Sequence, residues 1–180
     1  MDNYCHVLHE LCSKLHEYKY PFEKSDIPKN GIYIMFEKGE KAHGVKRIVR
    51  IGTHNKPDRL PERLHNHFYG NSKNSVFRKH IGAVVENPAE TSISNYILKN
   101  ISFVVIPLKI QQLLDFEKKI IGTVSLCKEC KPSKNWLGLS SPENKIICSG
   151  LWQKDHVCKE PLNETEFRKL KTLIKISNKL

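Results

Sequence analysis

Long apolar runs are missing from this sequence of 180 residues. The longest, Ile101 to Leu108, has eight residues and includes Ser102 and Pro107. A bilayer-spanning helix needs roughly 20 apolar residues, so no membrane segment and no membrane partner are expected. The first residues, Met1-Asp2-Asn3-Tyr4-Cys5-His6, show no basic segment followed by an apolar stretch. No export signal is therefore read, and a cytoplasmic location is expected. Internal repeats and low-complexity stretches are absent, which removes solenoid, collagen-like and wholly disordered readings. Six cysteines are too few to frame a disulfide-rich mini-protein. Without an export signal they read as reduced thiols or as metal ligands.

Acidic side chains are scarce as well. Nineteen Asp and Glu stand against thirty Lys and Arg, a net charge of +11, and the pI is about 9.4. A small domain this basic has the electrostatic footprint of a polyanion binder, with nucleic acid the commonest partner. The plainer alternative is that the charge only keeps the protein soluble. Hydrophobic residues make up 39%, enough for an ordinary globular core.

Periodicity predicts the elements. Tyr4, Leu8, Leu11, Leu15 and Tyr18 form one helical stripe across 2–19, ended by Pro21. Two strand-like runs follow, 31–37 and 46–52, joined by a polar segment at 38–44 that reads as a long basic hairpin loop. A helix should begin near Pro61, with Leu60, Leu64 and Phe68 along one side. Ser75 can cap a short helix, 90–100 reads as another, and 101–108 reads as a central strand. Residues 109–124 give the clearest helix. The stretch 127–160 is irregular, and Asn163 with Glu166 forms a capping-box pattern for a final helix. The fold class expected is α+β, a small antiparallel sheet of about three strands with an N-terminal hairpin, flanked by helices. Residues 1–28 form a helical addition, 29–126 the core, and 127–180 a cysteine-containing extension packed on that core in a single domain.

One residue breaks its pattern. Ile110, Leu113, Leu114, Ile120, Ile121 and Val124 make an apolar stripe, and the member it lacks falls at Glu117. A carboxylate there is costly unless paired, protonated or bound to a cation. Two readings stand: a buried glutamate satisfied by a nearby Arg or Lys, or a ligand for a divalent ion on the wall of a cleft. Arg63 and His67, four apart, project from one helical face. Guanidinium and imidazole suit a phosphodiester, although this spacing also arises on ordinary solvated faces. Tyr33, between Ile32 and Ile34, points to the opposite face of its strand from those two.

Taken together these residues resemble the GIY-YIG nuclease family. Gly31-Ile32-Tyr33 opens the first strand, Arg50-Ile51-Gly52 closes the second, Arg63 and His67 follow on a helix, and Glu117 lies on a later helix. The resemblance covers roughly residues 30–125. It implies metal-dependent endonuclease activity on DNA, with one Mg²⁺ (or Mn²⁺) held by Glu117. By the same resemblance Arg63 stabilises charge on the scissile phosphate, Tyr33 positions or deprotonates water, and His67 assists by hydrogen bonding or proton relay. The family's second tyrosine is replaced here by Arg50. That change assigns Arg50 to phosphate, or His54 to part of the missing role.

Lys46, Arg47, Arg59, Lys73, Arg78 and Lys79 read as a phosphate-contacting group, and Asn135 as a residue reaching the metal site or a DNA phosphate. Double-stranded DNA is the partner expected, taken by a monomer or a homodimer. Cys127-x-x-Cys130 has metal-ligand spacing, and Cys148, Cys158 and His156 are candidates to complete a structural zinc site. Reduced thiols packed as small hydrophobes are the other reading. Two further functions stay open: a DNA-binding module of this fold without catalysis, and a small zinc-binding interaction domain.

Overall fold

A computed structural model describes residues 2–177. Three strands, β1 (Gly31–Ala42), β2 (Val45–Gly52) and β3 (Ile101–Pro107), form one antiparallel sheet in the order β2-β1-β3. Among the described residues seven α-helices surround it: α1 (Asp2–Cys12), α2 (Leu60–Tyr69), α3 (Val76–Gly82), α4 (Glu90–Asn100), α5 (Ile110–Leu126), α6 (Asn144–Ser149) and α7 (Glu164–Ser177). This is the α+β architecture expected.

Both faces of the sheet are covered. Ile32, Ile34 and Phe36 of β1 pack with Ile48, Val104 and Ile106 against apolar residues of α1, α5 and α7. On the other face Tyr33, Met35, Phe103 and Val105 pack against α2, α3 and α4 and against Trp136 and Trp152. A strand buried on both faces reads as an unbroken apolar run. That explains a misreading: the run 101–107 belongs to an edge strand, and β1 is central. β3 is apolar because helices cover both its sides, not because it has two strand neighbours.

Three other elements differ from expectation. α1 ends at Cys12. Tyr18 leaves the helical stripe and forms a bridge to β3, with its N–H 2.8 Å from the Phe103 carbonyl. The expected hairpin loop is mostly strand, closed by His43-Gly44, whose φ values of 52° and 77° make a tight two-residue turn. A short helix, α6, stands inside the irregular C-terminal stretch. The capping residues behave as read. Ser75 Oγ accepts from Arg78 N at 3.2 Å. Asn163 and Glu166 exchange side-chain-to-backbone bonds of 2.9 and 3.0 Å.

Two details position the site. Pairing slips between Met35↔Arg50 and Phe36↔Ile48, so β2 carries Val49 as an extra residue. The bulge leaves Arg50 opposite Met35, on the face Tyr33 occupies. The C-terminal stretch then runs beside β2. Trp152 N–H donates to the Val49 carbonyl at 2.7 Å, and Ile51 N–H donates to Gln153 Oε1 at 2.8 Å.

Candidate active site

The start of β1 and the end of β2 meet under two glycines. A Cβ on Gly31 would lie 2.6 Å from the Ile106 carbonyl oxygen, so only glycine lets β3 approach. Gly52 faces Tyr33 across the ladder, and a Cβ there would overlap the Tyr33 hydroxyl and ring. The tyrosine thus lies flat over a residue with no side chain. Its hydroxyl is 3.0 Å from His67 Nε2 and receives Arg50 Nε–H at 3.3 Å.

Beside the buried Tyr33 opens a polar cleft of about 300 Å³, lined among others by Tyr33, Arg50, His54, Arg63 and Glu117. Glu117 is half-buried, and its Oε1 accepts the Thr53 N–H at 3.2 Å. Thr53 is itself fixed by donating its hydroxyl to the Gly31 carbonyl at 2.6 Å. Burial raises the Glu117 carboxyl above its ordinary range, against the Thr53 N–H and the positive charges of Arg50, Arg63 and Lys118. The stripe of α5 is not quite the one read from sequence. Phe116 is buried and Leu114 is 47% exposed, so Glu117 sits where the core-facing side meets the cleft rather than in mid-core. Arg63, half-buried on α2, brings a buried Nε that has no hydrogen-bond partner among the described residues. His54 Nδ1 accepts the Lys56 N–H at 3.0 Å, which leaves Nε2 as the protonated nitrogen of the neutral ring. Burial lowers the His54 pKa, and the charges of Arg63, Arg59 and Lys56 add to the effect.

Of the two roles expected of His67, hydrogen bonding and proton relay, its placement fits the first. It is fully buried behind Tyr33, with Nδ1 2.7 Å from Ser75 Oγ. Burial first, then the charges of Arg50, Arg63 and Arg78, push its pKa well below the usual range. A proton relay would create an imidazolium in that environment, so the ring can hold Tyr33 but is poorly suited to carry charge. A pH prediction follows. A depressed histidine pKa gives stability that is present above about pH 6.5 and lost as pH falls below it. Lowering the pH from about 7.5 to about 5.5 should therefore reduce stability through this group. His67→Gln should lose correspondingly less over that range in urea unfolding, and an identical loss in both proteins would contradict the assignment.

Several basic residues expected on DNA are structural. Arg47 is buried, donates to Glu40 at 2.8 Å and to the Gly150 carbonyl at 2.5 Å, and lies over the Trp136 ring. Arg78 is buried, pairs with Glu90 at 2.8 Å and donates to the His67 and Phe68 carbonyls. Neither can reach a phosphate while these bonds hold, because a desolvated guanidinium needs them. Lys46 is exposed but pairs with Glu17 at 2.5 Å near the hairpin tip, roughly 20–25 Å along the ladder from Tyr33 by register and strand rise. Asn135 is exposed beside Trp136 and does not line the cleft. Arg59, Lys73 and Lys79 are exposed.

The C-terminal stretch supplies cleft residues the sequence reading missed. Gln153 and Asp155 line the cleft, as does His156, at φ 60°. His156 therefore does not join the cysteines. Cys148 and Cys158 are exposed and stand outside the cysteine cluster, whereas Cys127 and Cys130 come together with Cys5 and His43. A larger recess of about 410 Å³ lies by the hairpin. Its acids are already engaged: Glu17 by Lys46, and Glu37 by the Tyr96 hydroxyl and the indole N–H groups of Trp136 and Trp152.

The family pattern described as GIY-YIG domain matches the chain over residues 1–96 and 84–179. No curated protein and no solved structure matches it.

Proposed function

The chain belongs to the GIY-YIG domain family, and from that membership we propose that it is a metal-dependent endonuclease cutting double-stranded DNA. A nuclease function is the family's coarse implication. The observation that carries the finer reading is the convergence of Glu117, Arg63, Arg50 and the Tyr33 hydroxyl on one small polar cleft.

The residues suit a hard divalent cation. Glu117 offers a carboxylate oxygen, Oε2, that makes no hydrogen bond among the described residues, and such ions take one or two carboxylates plus water and substrate phosphate. Glu117 would hold Mg²⁺ or Mn²⁺ there, and the ion would supply charge neutralisation for the phosphate and Lewis acidity. Phosphoryl transfer then needs mainly positioning and charge neutralisation. Arg63 Nε–H donates to a non-bridging phosphate oxygen. Tyr33 Oη, held by the Arg50 Nε–H, orients the attacking water, and the water's proton passes to solvent in the open cleft. His67 fixes the Tyr33 ring, and His54 Nε2–H donates to the phosphate or the departing oxygen.

Supercoiled plasmid tests this reading. Nicked or linear product should form with Mg²⁺ or Mn²⁺ and be lost when the divalent ion is omitted. DNA that is bound yet stays intact with either ion would favour a silent binding module, the role Arg50 would allow by replacing a tyrosine. One cleft per chain cuts both strands only through two chains or two successive nicks.

In this reading the exposed cations Arg59, Lys73 and Lys79 set the salt dependence. Replacing Arg59, Lys73 or Lys79 by Ala should each lower the log–log salt slope of DNA binding by about 1. Lys46→Ala should leave that slope unchanged. Equal slopes for all four variants would remove these residues from the interface.

A further inference from the structure

Far from the cleft, four metal-ligating side chains converge from three separate segments. Cys5 comes from α1, His43 from the turn between β1 and β2, and Cys127 and Cys130 from the end of α5. Their ligand atoms all lie within 4.8 Å of one another. Cys5 Sγ is 3.2 Å from Cys130 Sγ, and His43 Nε2 is 3.3 Å from Cys130 Sγ and 3.6 Å from Cys127 Sγ. Zinc–sulfur and zinc–nitrogen bonds in a tetrahedron put neighbouring ligands about 3.6–3.8 Å apart. The cluster is therefore close to the size one such ion would hold. We propose that Cys5, His43, Cys127 and Cys130 form a closed structural zinc site that fastens α1 and the hairpin tip to the end of α5.

Three observations support it independently. First, His43 adopts φ 52°, a left-handed conformation that a histidine enters at some cost. Asn or Gly would suit this turn better, and what the conformation delivers is an imidazole with its Nε2 among the sulfurs. Second, the other ring nitrogen, Nδ1, makes no hydrogen bond among the described residues and lies 3.1 Å from Glu129 Oε2, close to where an outer carboxylate orients a ligating histidine. Third, the neighbouring histidine is excluded by its own bonds. His9 Nδ1 donates to the Cys5 carbonyl at 2.9 Å, so its Nε2 must accept the Ile48 N–H at 3.2 Å. Its lone pair is taken, and the ligand count stays at three sulfurs and one nitrogen. Four protein ligands leave no open position, so the ion holds structure rather than reacting.

The site shares no residue with the cleft, so its occupancy is independent of cleavage. Elemental analysis of protein purified from zinc-supplemented culture should find one zinc per chain. Cys130→Ser and His43→Ala should lose it, while Cys148→Ser and Cys158→Ser keep it. Since the first pair can fail to fold, cobalt is the second probe. Co²⁺ replacing zinc in the wild-type chain should give tetrahedral d–d bands and thiolate-to-cobalt charge-transfer bands. Zinc absent from the folded wild type, octahedral cobalt spectra, or a disulfide-linked Cys5–Cys130 peptide would each overturn the site.

Discussion

Glu117→Gln leaves the protein folded and able to bind DNA but lowers metal-dependent cleavage by at least about 10²–10³-fold. Gln keeps the oxygen that accepts the Thr53 N–H and removes only the negative charge a cation needs. The sign of the stability change separates this from a structural role. A carboxyl whose pKa is raised on folding favours the folded state below its ordinary value, and that contribution is lost as pH rises through the folded value. At neutral pH the Glu117 carboxyl therefore opposes folding, and Glu117→Gln should melt at the same temperature or higher. Single-turnover cleavage and thermal melting on one preparation check both parts. A variant that melts lower and cuts at the wild-type rate would make Glu117 a structural residue.

Gly52→Ala should be nearly as damaging, for a steric reason. The added methyl would occupy the space of the Tyr33 hydroxyl, and Tyr33 is fully buried against His67 and Arg50. Overpacking of this kind typically costs about 1–3 kcal/mol. The chain should remain folded while the ring is displaced, and an oxygen moved by even 1 Å can cost about 10²-fold in rate. The telling comparison is Tyr33→Phe, which removes the hydroxyl without the clash. Comparable cleavage losses in both variants, with a larger drop in melting temperature for Gly52→Ala, are expected. Full activity in Gly52→Ala would mean that the Tyr33 hydroxyl takes no part.

The residues of the cleft were readable where one local segment carries the signal. Gly31, Tyr33 and Gly52 sit on adjoining strands, and Arg63 rides a helix whose start is marked by Pro61. Glu117 stood out against apolar neighbours, although its place at the edge of the stripe rather than within it depends on Phe116 turning inward. Thr53, Gln153, Asp155 and His156 were not readable. They reach the cleft because an irregular segment lies along β2, and no periodicity announces that contact. A charge count does not say which way a guanidinium turns, and here Glu40, Glu90 and backbone carbonyls draw Arg47 and Arg78 inward. The Cys127–Cys130 spacing was visible, but its companions lie more than eighty residues away at positions 43 and 5. His43 in particular looked like part of a basic loop until the turn placed it.

Where the cation sits can be mapped on the chain itself. Fe²⁺ substituted for Mg²⁺ in zinc-loaded protein, with ascorbate and peroxide, cuts backbone next to the bound ion. Cuts should fall around Glu117 and near residues 31–33 and 52–54, and they should vanish in Glu117→Gln. Cuts elsewhere, or the same cuts in the variant, would contradict a catalytic cation held by Glu117 beside Tyr33 and Arg63.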